Sequence, residues 1–381
     1  MSENLTLEPY HGRLVALSEF IHAHPELGYE EHESSRAVAD LLESAGFRVT
    51  RGVGGLDTAF RATIGHGSLH LVLCCEYDAL PYVGHACGHN LIAASAAGAA
   101  LALLDHVDDA DLTVTVLGTP SEEGGGGKID LIRAGEFDDV HFAMMVHPWP
   151  EERLEAQCLA VDHFDVIYEG REAHASAAPW EGVNALDAQT IAQVAVGLLR
   201  QHLRPGDQVH SIISEGGVAA NIVPQRTVAR YMARSVDLER LDALRERLTH
   251  CFESGASATG ATLSQVEIGS RFSHMVSHPG VLSHYRRAAE ELGRSFGADD
   301  EGRPRPTLST DMANVSLVVP SIHPLIRLET NGAVNHQPEF TASCLGPDAE
   351  RTLRDGALAL AATALSVAAD PDLRSQLLGG H

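Results

Sequence analysis

Apolar residues recur at helical spacing in the first fifty positions. "LVALSEFIHAHPELGYEEHESSRAVADLLESAGFRVT" carries them on both sides of a His-Pro break, which predicts two helices. Runs that are apolar at nearly every position follow: Ser68–Cys75, "SLHLVLCC"; Asp111–Thr119, "DLTVTVLGT"; and Val140–His147, "VHFAMMVH". Helical segments separate them, among them the long apolar stretch Leu91–Leu104. Strands apolar throughout and alternating with helices predict an α/β unit, its mainly parallel sheet covered by helices on both faces.

The pattern changes near residue 160. "VDHFDVIYEG" alternates as a strand and "NALDAQTIAQVAVGLLRQHL" is helical. "HSIISEGG" and "TVARYMARSV" are two further strands, "DLERLDALRERLTHCFESG" a second helix, and "ATLSQVEIGS" a last strand. This β-α-β-β-α-β order is that of a small ferredoxin-like α+β domain. After Arg271 the α/β pattern returns, with a helix at His278–Phe296, strands at Val315–Val319 and Ile326–Glu329, and a final Ala- and Leu-rich helix. The expected organisation is a discontinuous domain, residues 1–160 and 271–381, with residues 161–270 inserted into it.

Composition narrows the function. A chain of 381 residues exceeds one ordinary core, in keeping with two domains. A formal charge of −25 argues against nucleic acid as a partner, because phosphate binding needs a basic surface. Leu91–Leu104 is shorter than the roughly 20 residues of a membrane span. "MSENLTLEPYHGRL" has no basic start leading into an apolar run. The six cysteines are scattered and do not form a disulfide framework. A cytoplasmic protein that meets neither nucleic acid nor membrane is expected. Lys128 is its only lysine.

Four stretches carry candidate chemistry. Cys87 and His89 stand one residue apart at the mouth of the apolar helix. They fit a buried cysteine beside a structural histidine. They also fit a metal-ligand pair, since an extended backbone aims both the same way and thiolate with imidazole suits zinc. "GTPSEEGGGGK" follows the strand Asp111–Thr119. A phosphate loop is excluded there, because Ile129 rather than Ser or Thr follows Lys128 and the GxxxxGK spacing is absent. Glu122 and Glu123 are then a solvated pair, or one binds a metal while its neighbour takes a proton from water. The glycines would let the backbone pack tightly round such a site. Two histidines, His147 in "HFAMMVHP" and His336 in "NGAVNHQPEF", share a location at the ends of predicted strands. That is where α/β proteins place functional groups, and it separates these two from the other histidines among 22.

The motifs "HPELGYEE", "YDALP", "HACGHN", "SEEGGGG", "MVHPWP", "REAHASAAPWEGVNALDA" and "NHQPEF" occur in order across nearly the whole chain. Together they resemble the metal-dependent amidohydrolases of peptidase family M20, in the branch of aminoacylases and aminobenzoyl-glutamate hydrolase. The resemblance implies two divalent metal ions per chain, usually zinc, with manganese or cobalt as alternatives. It assigns Cys87, His89, Glu123, His147 and His336 as ligands, Cys87 standing where relatives carry a bridging aspartate. It makes Glu122 the general acid/base, and Asp78 in "YDALP" the support of a ligand. The inserted domain becomes a lid and homodimer interface. His174 in "REAHAS" would then reach a neighbouring subunit's site and stabilise the oxyanion. Asn221 in "AANIVP" and Arg234 in "YMARSV" would hold the substrate's carboxylate, a role that suits the arginine fork. Taken as a residue alone, Arg234 is also a surface strand arginine.

Two departures bear on the substrate. Asn90 follows "CGH" where many aminoacylase-like members have Asp. The glycine run and "STDMANVSLVVPSIHP" are similar to the branch that contains dipeptidases and aminobenzoyl-glutamate hydrolase; Asp311 lies in that stretch with no role assigned. The implied reaction is hydrolysis of an amide bond in an N-acyl amino acid or dipeptide-like substrate. Two other classes stand beside it. One is a catalytically silent metal-binding protein of the same fold. The other is a thiol redox enzyme using Cys87 or the Cys74–Cys75 pair, although C-x-x-C is absent.

Overall fold

The computed structural model describes residues 5–296 and 307–380. The first segment runs α1 (His11–Ala23), α2 (His32–Ser44), β1 (Arg48–Arg51), β2 (Phe60–Gly65), β3 (Leu69–Cys75), α3 (His89–Ala102), β4 (Leu112–Gly118), α4 (Gly127–Arg133), β5 (Phe142–Met144), β6 (His147–Trp149) and β7 (Gln157–Cys158). Every residue of α3 is buried, as an all-round apolar helix requires. Gly98 sits where a Cβ would lie 3.0 Å from that of Ala357, so α3 is approached closely by a later helix.

The next segment is β8 (Ala160–Glu169), α5 (Ala185–Leu199), β9 (Gln208–Glu215), β10 (Arg226–Ser235), α6 (Leu238–Thr259) and β11 (Thr262–Glu267). Its strands form one sheet in the order β11-β8-β10-β9, antiparallel at every pairing. Both helices start on side-chain caps: the Asn184 side-chain oxygen accepts the amides of Leu186 and Asp187, and Asp237 accepts that of Arg240. Gly260 ends α6 at φ +78°, the left-handed conformation that suits glycine. The centre of this segment is aromatic, Phe164, Tyr231 and Phe252 lying with ring centroids 4.9 to 6.0 Å apart.

The chain then continues through α7 (Pro279–Glu291), β12 (Thr307–Leu308), α8 (Met312–Ser316), β13 (Ser321–Ile322), β14 (Leu325–Arg327), α9 (Pro338–Ser343), α10 (Pro347–Ala369) and α11 (Pro371–Leu378). The residues divide into two compact units, one of Cys158–His274 and one of Met1–Gln157 with Met275–His381. The larger unit's main sheet has the order β1-β2-β4-β3-β5-β13. Strands β4, β3, β5 and β13 are parallel, and β1 and β2 add an antiparallel edge. Alternation along β3 feeds two cores. Leu71, Leu73 and Cys75 join a cluster with α1, α2, α3 and α10, while Val72 and Cys74 join another with Leu131 of α4 and Met312 of α8. Helices therefore cover both faces.

Two expectations need correction. Val315–Val319 is not a strand: Met312, Val315 and Val319 recur at helical spacing in one buried cluster, and the Val319 amide donates to the Val315 carbonyl at 2.9 Å. A short apolar run does not reveal its own periodicity. Val140–His147 is not one strand either. β5 ends at Met144, and His147 opens β6, which pairs in parallel with β14 in a separate ribbon. Among the described residues no helix is long and apolar enough to cross a membrane.

Phe252→Ala removes one of the three rings at the centre of the smaller unit. It should cost about 3–5 kcal/mol, read as a lower denaturant midpoint in equilibrium unfolding. A midpoint within error of the wild type would show that these rings do not anchor that core.

Candidate metal centre

The loops that leave β3 and β4, the start of α3, the start of β6 and the loop before α9 supply one cluster. One donor atom each from Cys87, His89 and His147 lie within 4.8 Å of one another, and so do those of Cys87, Glu123 and His336. The two sets share Cys87. A third grouping joins His89 to Glu122 and Glu123.

Local hydrogen bonds aim the donors. His89 Nδ1 donates to Asp78, 2.9 Å from its carbonyl and 3.0 Å from Oδ1. Its Nε2 therefore turns inward, 4.0 Å from carboxylate oxygens of both Glu122 and Glu123. Asp78 Oδ2 accepts the Glu123 amide at 3.0 Å, so one carboxylate orients an imidazole and anchors the glutamate loop. Burial alone would raise the Asp78 carboxyl, but His89 holds it below the usual range. His147 Nδ1 donates to the Pro148 carbonyl at 2.8 Å. Burial, with His323 and His89 nearby, pushes His147 down to about 3, which keeps the ring neutral with a lone pair on Nε2. His336 adopts φ +72°, a strained backbone for a non-glycine residue, and its Nε2 lies 3.6 Å from Glu123 Oε2.

The N-terminal motif "HPELGYEE" clamps the glutamate loop. Glu31 Oε1 accepts the Ser121 amide and its Oε2 accepts the Thr58 hydroxyl, both at 2.8 Å. A Cβ on Gly125 would lie 2.3 Å from both Ser121 Oγ and the Tyr29 ring, and one on Gly127 would lie 2.0 Å from the Pro120 carbonyl oxygen. The glycine run thus permits a backbone approach that no other residue could make.

The donor set fits a cation. Burial and Glu123 push the Cys87 thiol up, and burial with Glu76, Glu123 and Asp311 pushes the Glu122 carboxyl up. His89 Nε2 and Glu123 Oε1 are buried without a hydrogen-bond partner. Converging lone pairs with nothing to satisfy them are what a divalent ion completes, and thiolate, imidazole and carboxylate together suit zinc.

Three neighbouring residues were not singled out from sequence, Glu76, Glu31 and His323, and Lys128 was noted there without a role at the site. Glu76 Oε2 lies 3.6 Å from His89 Nε2, and the His323 ring centroid is 5.6 Å from that of His147. Glu76 did carry a signal, a charge at the end of an apolar strand two residues before Asp78. His323 lies just past β13, at another strand end.

His174, Asn221 and Arg234 belong to the smaller unit. His174 Nδ1 accepts the amides of Ser176 and Ala177 at 3.3 and 3.2 Å, which leaves the ring proton on Nε2. Asn221 is beside it, its carbonyl accepting the Ala175 amide and Ile222 bridging to His174. Arg234 is elsewhere. Arg226 pairs with Glu169 and Arg234 with Val161, so Arg234 lies eight residues, about 26 Å of strand, beyond Arg226, whereas Asn221 precedes β10.

Residues 76–365 match peptidase family M20/M25/M40. The chain belongs to this family. It is 39% identical to the Xaa-Arg dipeptidase of Mus musculus over 95% of this chain and 87% of that protein. It is 33% identical to a component of the p-aminobenzoyl-glutamate hydrolase of Escherichia coli, over 66% of this chain and 56% of that protein. A solved M20 structure from Bacillus subtilis, described as a dinuclear metal-binding peptidase, superposes with a TM-score of 0.74 at 20% identity, covering 94% of this chain and 99% of that one. As an M20 peptidase the protein is an amide-bond hydrolase. The Cys74–Cys75 pair gives no support to thiol redox chemistry: both thiols are fully buried, and burial pushes Cys74 up to about 12.

Burial and Asp78 raise the Glu31 carboxyl from 4.5 to about 7. Between those values the unfolded chain has released this proton and the folded chain retains it, so Glu31's contribution to stability is full below pH 4.5 and is lost as pH rises to about 7. Glu31→Gln should flatten that decline in urea midpoints measured across the interval. Parallel wild-type and variant profiles would mean that Glu31 ionises in the folded state as it does in water.

Proposed function

We propose that the protein is a two-metal dipeptidase whose preferred substrates carry a cationic C-terminal residue. The metal reading is carried by one observation: two three-residue donor sets share Cys87 and lie beside a glutamate that belongs to neither. Cys87, His89 and His147 would hold one ion, and Cys87, Glu123 and His336 the other, with zinc the best fit and manganese or cobalt as alternatives. When bound, the ions supply Lewis-acid polarisation of the scissile carbonyl and acidify the attacking water.

The remaining steps fall to side chains. Glu122 accepts the proton of the attacking water and passes it to the leaving amine, and its raised proton affinity suits both transfers. Asp78 keeps His89 in the required tautomer. His174 donates Nε2–H to the developing oxyanion, a contact worth roughly 3 kcal/mol. The placement of His174 and Asn221 at the approach to β10 and of Arg234 near its far end supports a site shared by two chains, with His174 and Asn221 from one protomer and Arg234 from the other. The inserted unit would then serve as lid and homodimer interface. Its exposed stripe of Val194 and Leu198 on α5 and the edge strand β9, with Ile212 exposed, supports such a contact.

The dipeptide preference is supported by likeness to the Xaa-Arg dipeptidase, which extends further and at higher identity than likeness to the aminobenzoyl-glutamate hydrolase. A net charge of −25 also favours cationic substrates. Free cysteines throughout, five of them buried, suit a reducing cytoplasm.

The test is a panel of Xaa-Arg, Xaa-Lys and Xaa-Glu dipeptides, N-acetyl amino acids and p-aminobenzoyl-glutamate with metal-replete enzyme. Xaa-Arg dipeptides should have the highest kcat/KM, chelation should abolish turnover, and Cys87→Ser should lower the metal content. Faster hydrolysis of p-aminobenzoyl-glutamate would overturn the substrate reading, and full activity after metal removal would overturn the metal reading.

Glu122→Gln should keep its metal and lose about 10²–10⁴-fold in kcat. His174→Ala should keep metal and dimer but lose turnover. Mixing the two inactive variants rebuilds one intact site per heterodimer, so activity should return. No recovery despite demonstrated exchange of protomers would place His174 in its own chain's site or outside catalysis.

A further inference from the structure

Lys128 is the chain's only lysine, and it is completely buried. Its Nζ lies 2.5 Å from Glu76 Oε1 and 2.6 Å from Asp311 Oδ1, and its backbone amide donates to Asp311 Oδ2 at 2.9 Å. The three residues come from separate places: Glu76 follows β3, Lys128 opens α4, and Asp311 precedes α8. One carboxylate oxygen each of Glu76, Glu122 and Asp311 lie within 4.8 Å of one another. Three buried carboxyls at that separation repel strongly in a medium less polar than water, and a cation among them offsets the repulsion. An external ion could in principle fill that role. Here the chain's own ammonium already sits on two of the three. Burial alone would favour the neutral amine, but Asp311 and Glu76 keep it charged.

The backbone between Glu122 and Lys128 is built for this return. The Gly126 amide donates to the Ser121 carbonyl at 2.8 Å, and Gly126 takes φ +80° immediately before α4. The turn returns the chain to Ser121 just before Lys128, a close approach that Gly125 and Gly127 permit. Glu76 then links the ammonium to the metal-facing side, since its other oxygen has no hydrogen-bond partner and faces His89 Nε2 at 3.6 Å.

We propose that Lys128 is a positioning residue for Glu122, a built-in cation that pins Glu76 and Asp311 beside it and so fixes where the Glu122 carboxyl stands. This rests on the reading of Glu122 as the group that moves the proton. A lysine that only stabilised the fold would act independently of Glu122, because replacing a buried ion pair by an apolar residue changes stability without reference to one catalytic group.

A double-mutant cycle on metal-loaded enzyme separates the two. Lys128→Met should lower kcat by about 100-fold, the scale of a misplaced reacting group, with KM and metal content little changed. In a Glu122→Gln background the same substitution should cost almost nothing further, because its effect passes through Glu122. Equal losses in both backgrounds would overturn the proposal. So would wild-type kcat in Lys128→Met, or a third bound metal ion with activity kept. Full activity in Glu122→Gln alone would sink the reading of Glu122, and this proposal with it, whatever Lys128 does. Should Lys128→Met fail to fold, the single lysine offers a direct probe: enzyme labelled with ¹⁵Nζ-lysine should give one slowly exchanging ammonium resonance that shifts in Glu122→Gln. An unshifted resonance would overturn the coupling.

Discussion

Negative charge removed from water is the constraint on which the larger unit depends. Glu31, Glu76, Asp78, Glu122 and Asp311 are all buried within it. An unpaired carboxylate in the interior costs several kcal/mol, so each needs a cation, a proton or a set of donors. Asp78 takes His89 Nδ1 and the Glu123 amide, Glu31 takes the Ser121 amide and the Thr58 hydroxyl, and Glu76 and Asp311 take Lys128. Glu122 and Glu123 have no comparable set of side-chain donors, and they face the cluster of Cys87 and His89. The carboxyls that are satisfied hold the frame, and those that are not are the ones proposed to bind metal and move the proton.

The frame itself is apolar. β3 sends alternate residues into two cores, and α3 is buried along its whole length, so the loops that follow them start from rigid ends. That rigidity lets the structure hold backbone it would otherwise relax. Tyr29, Ser121 and His336 all have positive φ without being glycine, and all belong to the site or to the motif that clamps it. Strain of this kind persists only where the surroundings over-determine it. Here the surroundings are the close contacts of Gly28 with Ser121 and of Tyr29 with Gly125.

The smaller unit solves a different problem. It has its own aromatic core and capped helices, and it presents exposed apolar side chains on α5 together with an edge strand, surface that an isolated unit would expose to water. The two ends of its long strand β10 carry different functional candidates. His174 and Asn221 gather near the start of the strand, and Arg234 stands near its end. That placement at opposite ends of one strand is the physical reason for proposing a site shared by two chains.

Periodicity in the sequence determined most elements of both units, because an amphipathic or fully buried segment records its environment in its own residues. The order β-α-β-β-α-β and the buried helix after Gly88 were legible in this way. The residue types Cys87, His89, Glu122, Glu123, His147 and His336 were legible as candidate chemistry, since they lie at the mouth of the apolar helix or at and just beyond the ends of predicted strands. Short buried segments were not. Val315–Val319 carries too few residues to show its helical turn, and the division of Val140–His147 depends on β14, a partner some 180 positions away. Nor could the sequence reveal that Lys128 meets Glu76 and Asp311, which lie 52 and 183 residues from it. Charge compensation is settled by distance in space, and only the tertiary structure brings those three side chains within hydrogen-bonding reach.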